Sequence, residues 1–385
     1  MSVSAPVRLA LIGGGPGSFI GPIHRMAAEL DGRMRLVAGV FSRDADKSLR
    51  AAEAYGIPRE RSYAGIDELL AGERARGAAG AELIAIATPN STHLPIARAA
   101  LEAGFDVISD KPVTATLDEA IALRGIVRKT GRRYGVTYTY SGYAMVREAR
   151  ELVRSGRLGT IRKIVAEYSQ GWLARPVERD GNQQAAWRSD PAIAGAGGCI
   201  ADIGVHAFHL AEFISGLRVT RMCADLAAVV PGRVLDDDCQ ILLRFANGAR
   251  GVLLASQIAA GDRNGLRIRI WGEAGGLDWS QETPDRLVLN WIDAPTQVLH
   301  AGSSYLSEPA RGVSRLPPGH PEGFIEALAN LYRDYAVAIR VGTPLDHDRV
   351  PGIDAGVRGL GFVTGALAAN GTGSWLQLDD MEGMT

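Results

Sequence analysis

Lysine and cysteine are both scarce in this sequence. Only Lys47, Lys111, Lys129 and Lys163 are lysines, and the other 38 of the 42 basic residues are arginines. Three cysteines, Cys199, Cys223 and Cys239, are too few and too odd in number for a disulfide framework. That usage fits a reducing compartment and leads us to expect a cytoplasmic protein. An excess of positive charge is also missing: 42 basic and 43 acidic side chains leave a net charge of -1, which argues against nucleic acid as the partner. No apolar run approaches the roughly 18 residues that a membrane span needs, so no membrane association is expected. The first apolar run, Val7 to Ile12, is too short for a signal-peptide core and has no small-residue cleavage site after it.

What is present is a chain of 385 residues, 46% hydrophobic, long enough for two or three domains with sizeable cores. Val7 to Ile12 stops at Gly13-Gly14-Gly15 and reads as a buried strand entering a tight turn. Strands and helices then alternate. Strands are expected at Arg35–Phe41, near Arg61–Tyr63, at Glu82–Ala87, Asp106–Ser109 and Tyr134–Thr137. Helices are expected between them, around Gly21–Leu30, Ala45–Ala54, Ile66–Leu70, His93–Ala103 and Leu117–Lys129. This order implies a doubly wound parallel sheet with helices on both faces, a Rossmann-type domain over residues 1–140.

Residues 141–385 read differently. After a helix around Ala144–Ser155 come long in–out alternating segments such as Ile161–Ser169, Val219–Val229, Gln240–Phe245 and Leu266–Trp271. Asn247-Gly248 between two of them is a hairpin signal. A large, mainly antiparallel open sheet in a second α/β domain follows, with one face available for assembly. Helices are expected late, around Pro321–Arg340 and Asp354–Ala369.

The glycine turn opens the first βα unit, where backbone N–H groups and a helix N-terminus can meet a pyrophosphate. Gly13 and Gly15 supply the first two glycines of G-x-G-x-x-G, Ser18 stands at the third position, and Gly21 takes over that role after a three-residue insertion. Ser42 and Arg43 follow the second strand, where an acidic residue would bind the ribose 2′-OH of NAD. A serine and an arginine there can hold a 2′-phosphate, which tips the choice between NAD and NADP toward NADP; the alternative is a solvated loop arginine.

Two segments carry candidate chemistry. Lys111 lies just past the fifth expected strand, where an ammonium steadies oxygen charge as it develops on a substrate hydroxyl. Further on, Asp202 and His206 fall four residues apart in a segment with helical spacing, so a carboxylate would neighbour an imidazole suited to general acid–base work. His209 borders the same face. A satisfied core histidine pair and a metal site at Asp202, His206 and His209 are the alternatives, and no metal is expected because no further ligand cluster is evident. Tyr138, Tyr140, Arg188 and His209 are the candidate substrate contacts, placed where a substrate would stack or hydrogen-bond. Asp236-Asp237-Asp238 lacks the spacing of a calcium loop and reads as a solvated strand start.

At this point the sequence resembles the Gfo/Idh/MocA family. Ala85-Ile-Ala-Thr-Pro-Asn-Ser-Thr-His93 looks like its cofactor-lining loop, and Asp110-Lys111-Pro112 like its Glu-Lys-Pro signature with aspartate in place of glutamate. Gly197-Gly198 with Asp202-x-Gly204-x-His206 looks like its second signature. The resemblance implies NAD(P)-dependent oxidation of a secondary alcohol on a sugar, cyclitol or related polyol, by homodimers or homotetramers. By matching position, Lys111 would orient the hydroxyl, His206 would exchange its proton, and Asp202 would support one or the other. Thr88, Pro89, Asn90 and His93 would lie along the cofactor, with Asp110 near the nicotinamide. A non-catalytic NAD(P)-binding regulator on the same fold is the competing expectation.

Overall fold

The computed structural model describes residues 5–378 apart from 16 and 189. The chain divides into two compact units. The first comprises the chain up to Thr139 together with Phe324–Val357, and the second Tyr140–Gly323 with the chain from Arg358 onward. The expected second domain at 141–385 is therefore corrected, because a late segment folds with the N-terminal unit.

The first unit holds β1 (Val7–Gly13), α1 (Ile20–Glu29), β2 (Met34–Val40), α2 (Ala45–Ala54), α3 (Ile66–Ala75), β3 (Leu83–Ala87), α4 (His93–Glu102), β4 (Asp106–Ser109), α5 (Leu117–Thr130) and β5 (Tyr134–Val136). The five strands form a parallel sheet in the order β2-β1-β3-β4-β5. β3 and β4 are buried along their whole length, as strands covered on both faces must be. The strand expected near Arg61–Tyr63 does not form. Arg59–Arg61 is a 3₁₀ turn, and only Ser62 bridges to Gly39 of β2. Arg59-Glu60-Arg61 has no apolar face to bury, and Arg61 instead pairs with the buried Glu73. Lys111 consequently follows the fourth strand, not the fifth.

The second unit begins with α6 (Ala144–Arg154) and β6 (Lys163–Ser169), followed by two short helices, α7 (Gln183–Arg188) and α8 (Pro191–Ala194). Next come α9 (Val205–Ser215), β7 (Val219–Ala227), β8 (Asp238–Phe245), β9 (Arg250–Ser256), β10 (Gly265–Trp271), β11 (Gly275–Ser280), β12 (Arg286–Trp291), β13 (Gln297–His300) and the short helix α10 (Glu308–Arg311). A nine-stranded sheet runs β13-β12-β11-β10-β6-β9-β8-β7-β14, where β14 is Leu376–Gln377. All its pairings are antiparallel except β6 with β9. The in–out alternation is clear in β8, where Cys239, Ile241, Leu243 and Phe245 are buried while Gln240 and Leu242 are exposed. Asn247-Gly248 turns β8 into β9, with Gly248 at φ 87°, a value that glycine adopts without strain.

α11 (Phe324–Val341) is the late helix of the first unit, and the boundary between the units falls within α12 (Ile353–Thr372). Leu328, Leu331, Tyr332 and Tyr335 of α11 join Leu9, Leu11, Ala27 and Met34 in one buried cluster. The Tyr335 hydroxyl lies 2.9 Å from the carbonyls of both Val107 and Arg133, so α11 also seals the β4–β5 edge.

Leu331→Ala is expected to destabilise the first unit by about 2–5 kcal/mol through the cavity it leaves. All six tryptophans lie in the sequence spans of the second unit. In urea the variant's far-UV dichroism is expected to fall at lower denaturant while tryptophan fluorescence keeps its midpoint. An equal shift of both probes would contradict the assignment of α11.

Candidate active site

The glycine turn is shaped by backbones that leave no room for side chains. Gly13, Gly14 and Gly17 have φ of 93°, 74° and 84°. A Cβ on Gly15 would lie 2.2 Å from the Phe41 carbonyl oxygen, at the end of β2. Gly21 is equally constrained, since its Cβ would lie 2.1 Å from Gly14 Cα. Helix α1 therefore rests directly on the turn at Gly21, and the three-residue insertion is absorbed before it. Ser18 accepts a hydrogen bond from Gly21 N at 3.2 Å and so serves the helix start. Beside Gly17 the space is open, with nothing within 4 Å of a built Cβ. The turn lies where the chain switches from one side of β1 to the other, in front of a helix N-terminus. These residues fit a pyrophosphate, which needs close backbone approach and N–H groups.

Beyond β2, Ser42 Oγ accepts from Asp44 N at 3.1 Å, and Asp44 Oδ1 accepts from Lys47 N at 2.9 Å. The Lys47 bond lowers the Asp44 pKa. The nearest carboxylate is thus engaged in capping α2, and Arg43 is exposed.

Thr88, Pro89 and Asn90 follow β3. The Thr92 hydroxyl lies 2.7 Å from both Thr88 Oγ1 and the Pro89 carbonyl, which tightens this loop. The His93 ring is fully buried, so it is not a surface that a ligand touches. Its Nε2 lies 2.8 Å from the Thr88 carbonyl and its Nδ1 2.9 Å from the Pro112 carbonyl, so the ring sits between the loop after β3 and the loop after β4 and, when neutral, donates to one of the two. Burial lowers the His93 pKa, and the two carbonyls and the Asp110 charge offset this only in part. Asp110 also faces inward: its Oδ1 lies 3.2 Å from His24 Nε2 and accepts from Thr137 Oγ1 at 2.7 Å. Lys111 comes next in the chain, beyond the carboxyl end of β4.

In the second unit the Asp202–His206 segment is not the regular α-helix expected. Ile200–Gly204 is a π turn, in which Val205 N bonds back to Ile200 O, and α9 starts only at Val205. The expectation of a regular helix through Asp202 is thereby corrected, since the π turn has a wider hydrogen-bond ring than an α-helix. Asp202 Oδ2 accepts from Arg188 Nε at 3.2 Å and from Gln257 Nε2 at 2.8 Å. Arg188, expected on the substrate, is thus an ion-pair partner of Asp202. The His206 ring meets the Tyr140 ring edge-on at 4.9 Å and lies 6.4 Å from that of Tyr168.

Tyr138 is buried in the first unit and Tyr140 in the second, so neither offers an open ring face for stacking, which corrects that expectation. The Tyr140 and Tyr168 hydroxyls hydrogen-bond to each other, and Tyr168 donates to Asn264 Oδ1 at 2.8 Å. Since that oxygen only accepts, Tyr140 is the donor to Tyr168. His209 stacks on Phe213, and burial with the Arg150 charge lowers its pKa to about 3. Among the described residues no group of three His, Cys, Asp or Glu side chains is placed to hold a metal ion.

Four contributors escaped sequence reasoning. Asp236 is buried, not solvated; its Oδ1 and Oδ2 accept from Gly198 N and Ile200 N, each at 2.7 Å, and its carbonyl accepts from Cys199 N at 2.7 Å. One residue thereby fixes the entry to the π turn. Asp237 likewise accepts from Val229 N and Val230 N and pairs with Arg233. Gln257 and His24 complete the set, and only His24, three residues after Gly21, carries a local signal.

This architecture defines an oxidoreductase with a Rossmann nucleotide domain. The family model for the oxidoreductase NAD-binding Rossmann fold matches residues 7–138, and that for the Gfo/Idh/MocA C-terminal domain matches residues 146–278. The chain belongs to the Gfo/Idh/MocA family. It is 33% identical over 384 residues to an uncharacterised oxidoreductase of Bacillus subtilis, covering 97% of this chain and 98% of that protein. Among solved structures, an inositol dehydrogenase homologue of Azotobacter vinelandii complexed with NAD+ is 36% identical with a TM-score of 0.93, covering 98% of both chains. The homologue complexed with NADH and myo-inositol is 35% identical with a TM-score of 0.90, covering 97% of this chain and 98% of that one.

His93 sets a pH dependence. Its lowered pKa means that the unfolded chain takes up a proton which the folded unit refuses, so its contribution is full above the ordinary histidine pKa of 6.5 and declines as the pH drops below it. The decline is expected to approach about 1.4 kcal/mol per pH unit. His93→Gln is expected to be less stable at pH 8 yet to lose stability more gently between about pH 6.5 and 5. An unchanged slope in urea titrations would exclude His93 as the group responsible.

Proposed function

We propose that this protein is an NAD(P)-dependent dehydrogenase acting on a secondary alcohol of a sugar, cyclitol or related polyol. The observation that carries the reading is the placement of Lys111 just beyond the carboxyl end of β4, in a chain similar over nearly its whole length to a homologue bound to NADH and myo-inositol. Ligands of open α/β sheets sit at those strand ends. Gly13, Gly15, Ser18 and Gly21 form the phosphate turn, with Thr88, Pro89 and Asn90 along the dinucleotide and His93 and Asp110 holding the loops from inside. When bound, the nicotinamide supplies a hydride acceptor for the carbinol carbon.

The chain's own residues manage the oxygen and its proton. The Lys111 ammonium donates a hydrogen bond to the substrate hydroxyl oxygen and stabilises the negative charge it gains. A ring nitrogen of His206 takes the hydroxyl proton, and in the reverse direction returns it. Asp202, held by Arg188 and Gln257, contributes a carboxylate to the same segment as His206. Ser42 and Arg43 hold a 2′-phosphate, so NADP is accepted in preference to NAD, although the Azotobacter homologue is complexed with NAD+. We further place the protein in the cytoplasm as a homodimer or homotetramer built on the outer face of the nine-stranded sheet, where Leu242 and Leu254 are exposed. No nucleic acid or membrane takes part in this reading.

Lys111→Ala and His206→Ala are expected to lower kcat/KM by about 10²–10⁴ on a polyol found by screening, with NADH affinity within a few-fold of the parent. Near-normal turnover by either variant would remove that residue from the chemistry. Binding of dinucleotide without turnover of any sugar or cyclitol would favour the regulator. Arg43→Ala is expected to reduce kcat/KM with NADP by roughly tenfold or more while sparing NAD. Equal effects on both dinucleotides would withdraw the 2′-phosphate assignment.

A further inference from the structure

Lys111 sits in a short turn that is pinned on both sides. Before it, Asp110 N donates to the Ile86 carbonyl at 3.0 Å, and Ser109 Oγ lies 2.7 Å from the Tyr134 hydroxyl. After it, the Pro112 carbonyl meets the His93 ring at 2.9 Å. The Asp110 side chain is held in turn by His24 and Thr137. The His24 ring on α1 is fully buried, with Nδ1 2.5 Å from the Tyr332 hydroxyl of α11 and Nε2 3.2 Å from Asp110 Oδ1. Burial alone would raise the Asp110 pKa. The charge and hydrogen bond of His24, then the hydrogen bond of Thr137, override it and hold the group at about 2. An ionised carboxylate only accepts, so the facing Nε2 carries a proton whether or not the ring is charged.

We propose that His24 is a positioning residue for Lys111: through Asp110, and with Thr137 on the same oxygen, it fixes the turn from which the ammonium reaches the substrate. This rests on the assignment of Lys111 given above. Asp110 is one methylene shorter than the glutamate of the family signature, and His24 meets it from the helix that Gly21 seats on the glycine turn. Release of Asp110 would loosen the peptide that carries Lys111 without touching the glycine turn or the end of β2.

The scarcity of lysine makes a direct test available. In the full-length protein without added dinucleotide, an amine-directed acylating reagent followed by peptide mass spectrometry reads Lys111 against the exposed Lys47, Lys129 and Lys163 as internal standards. His24→Ala is expected to raise the relative acylation rate of Lys111 about threefold or more, and Thr137→Val to raise it less. Turnover is expected to fall roughly tenfold in kcat with the NADH dissociation constant within about twofold, and His24→Gln, which keeps a donor, to recover part of the loss. If His24→Ala fails to fold, Thr137→Val and His24→Gln carry the test. An unchanged Lys111 rate in the folded variants, or an equal rise at all four lysines, overturns the proposal. Altered Lys111 labelling with unaltered turnover would support the positioning role and instead remove Lys111 from the chemistry.

Discussion

The contact between Gly14 and Gly21 is the constraint on which the first unit depends. Two backbones meet there at a distance that no side chain permits, and the start of α1 is thereby fixed against the end of β1. One turn further along α1, His24 then falls opposite Asp110 on one side and Tyr332 on the other. The same helix surface builds the core with α11, so the apolar packing and the polar network share a single reference point. A side chain at Gly21 would displace the helix and with it everything the helix locates. Glycine supplies the close approach, and the buried hydrogen bonds convert it into specific geometry.

The second unit reaches a comparable result by different means. The entry to its π turn is gripped by carboxylate oxygens and a carbonyl from a single residue, Asp236, two residues before β8. A charge-assisted bond to a backbone N–H is among the stronger hydrogen bonds available, and two from one side chain to alternate residues leave little angular freedom. Burial raises the Asp236 pKa, while the Gly198 and Ile200 amides pull it down. That competition is the signature of a group kept inside for its geometry. Gln257, just after β9, donates to Asp202.

Much of this was legible in the sequence, and the boundary of legibility is physical. Element types followed from periodicity, and Ala45–Ala54 and Asp106–Ser109 coincide with the expected segments. The glycine insertion was readable because a turn is local. The misreadings involve partners far apart in the chain. Asp236 lies 38 residues from Gly198, and nothing in an acidic triplet tells a solvated strand start from a buried clamp. Arg61 joined Glu73 in place of a sheet, a choice of long-range partner that β-propensity does not contain. The π turn at Ile200–Gly204 has the same apolar spacing as a helix and differs only by one shifted hydrogen bond. The excursion of α11 was invisible for a simpler reason: an amphipathic helix shows that it has a buried face, not which core receives it.

That excursion also governs the order in which the protein comes into being. A ribosome delivers Thr139 roughly 200 residues before the end of α11, an interval of about 10–40 s at ordinary elongation rates. Through that interval the nascent nucleotide domain waits with one wall absent, while eight of the nine strands of the other sheet emerge, β14 following only after α11. The N-terminal third of the sequence is thus among the last parts of the molecule to be finished, and most of the sheet sequence behaves as a long insertion within a domain that closes only when its missing helix arrives.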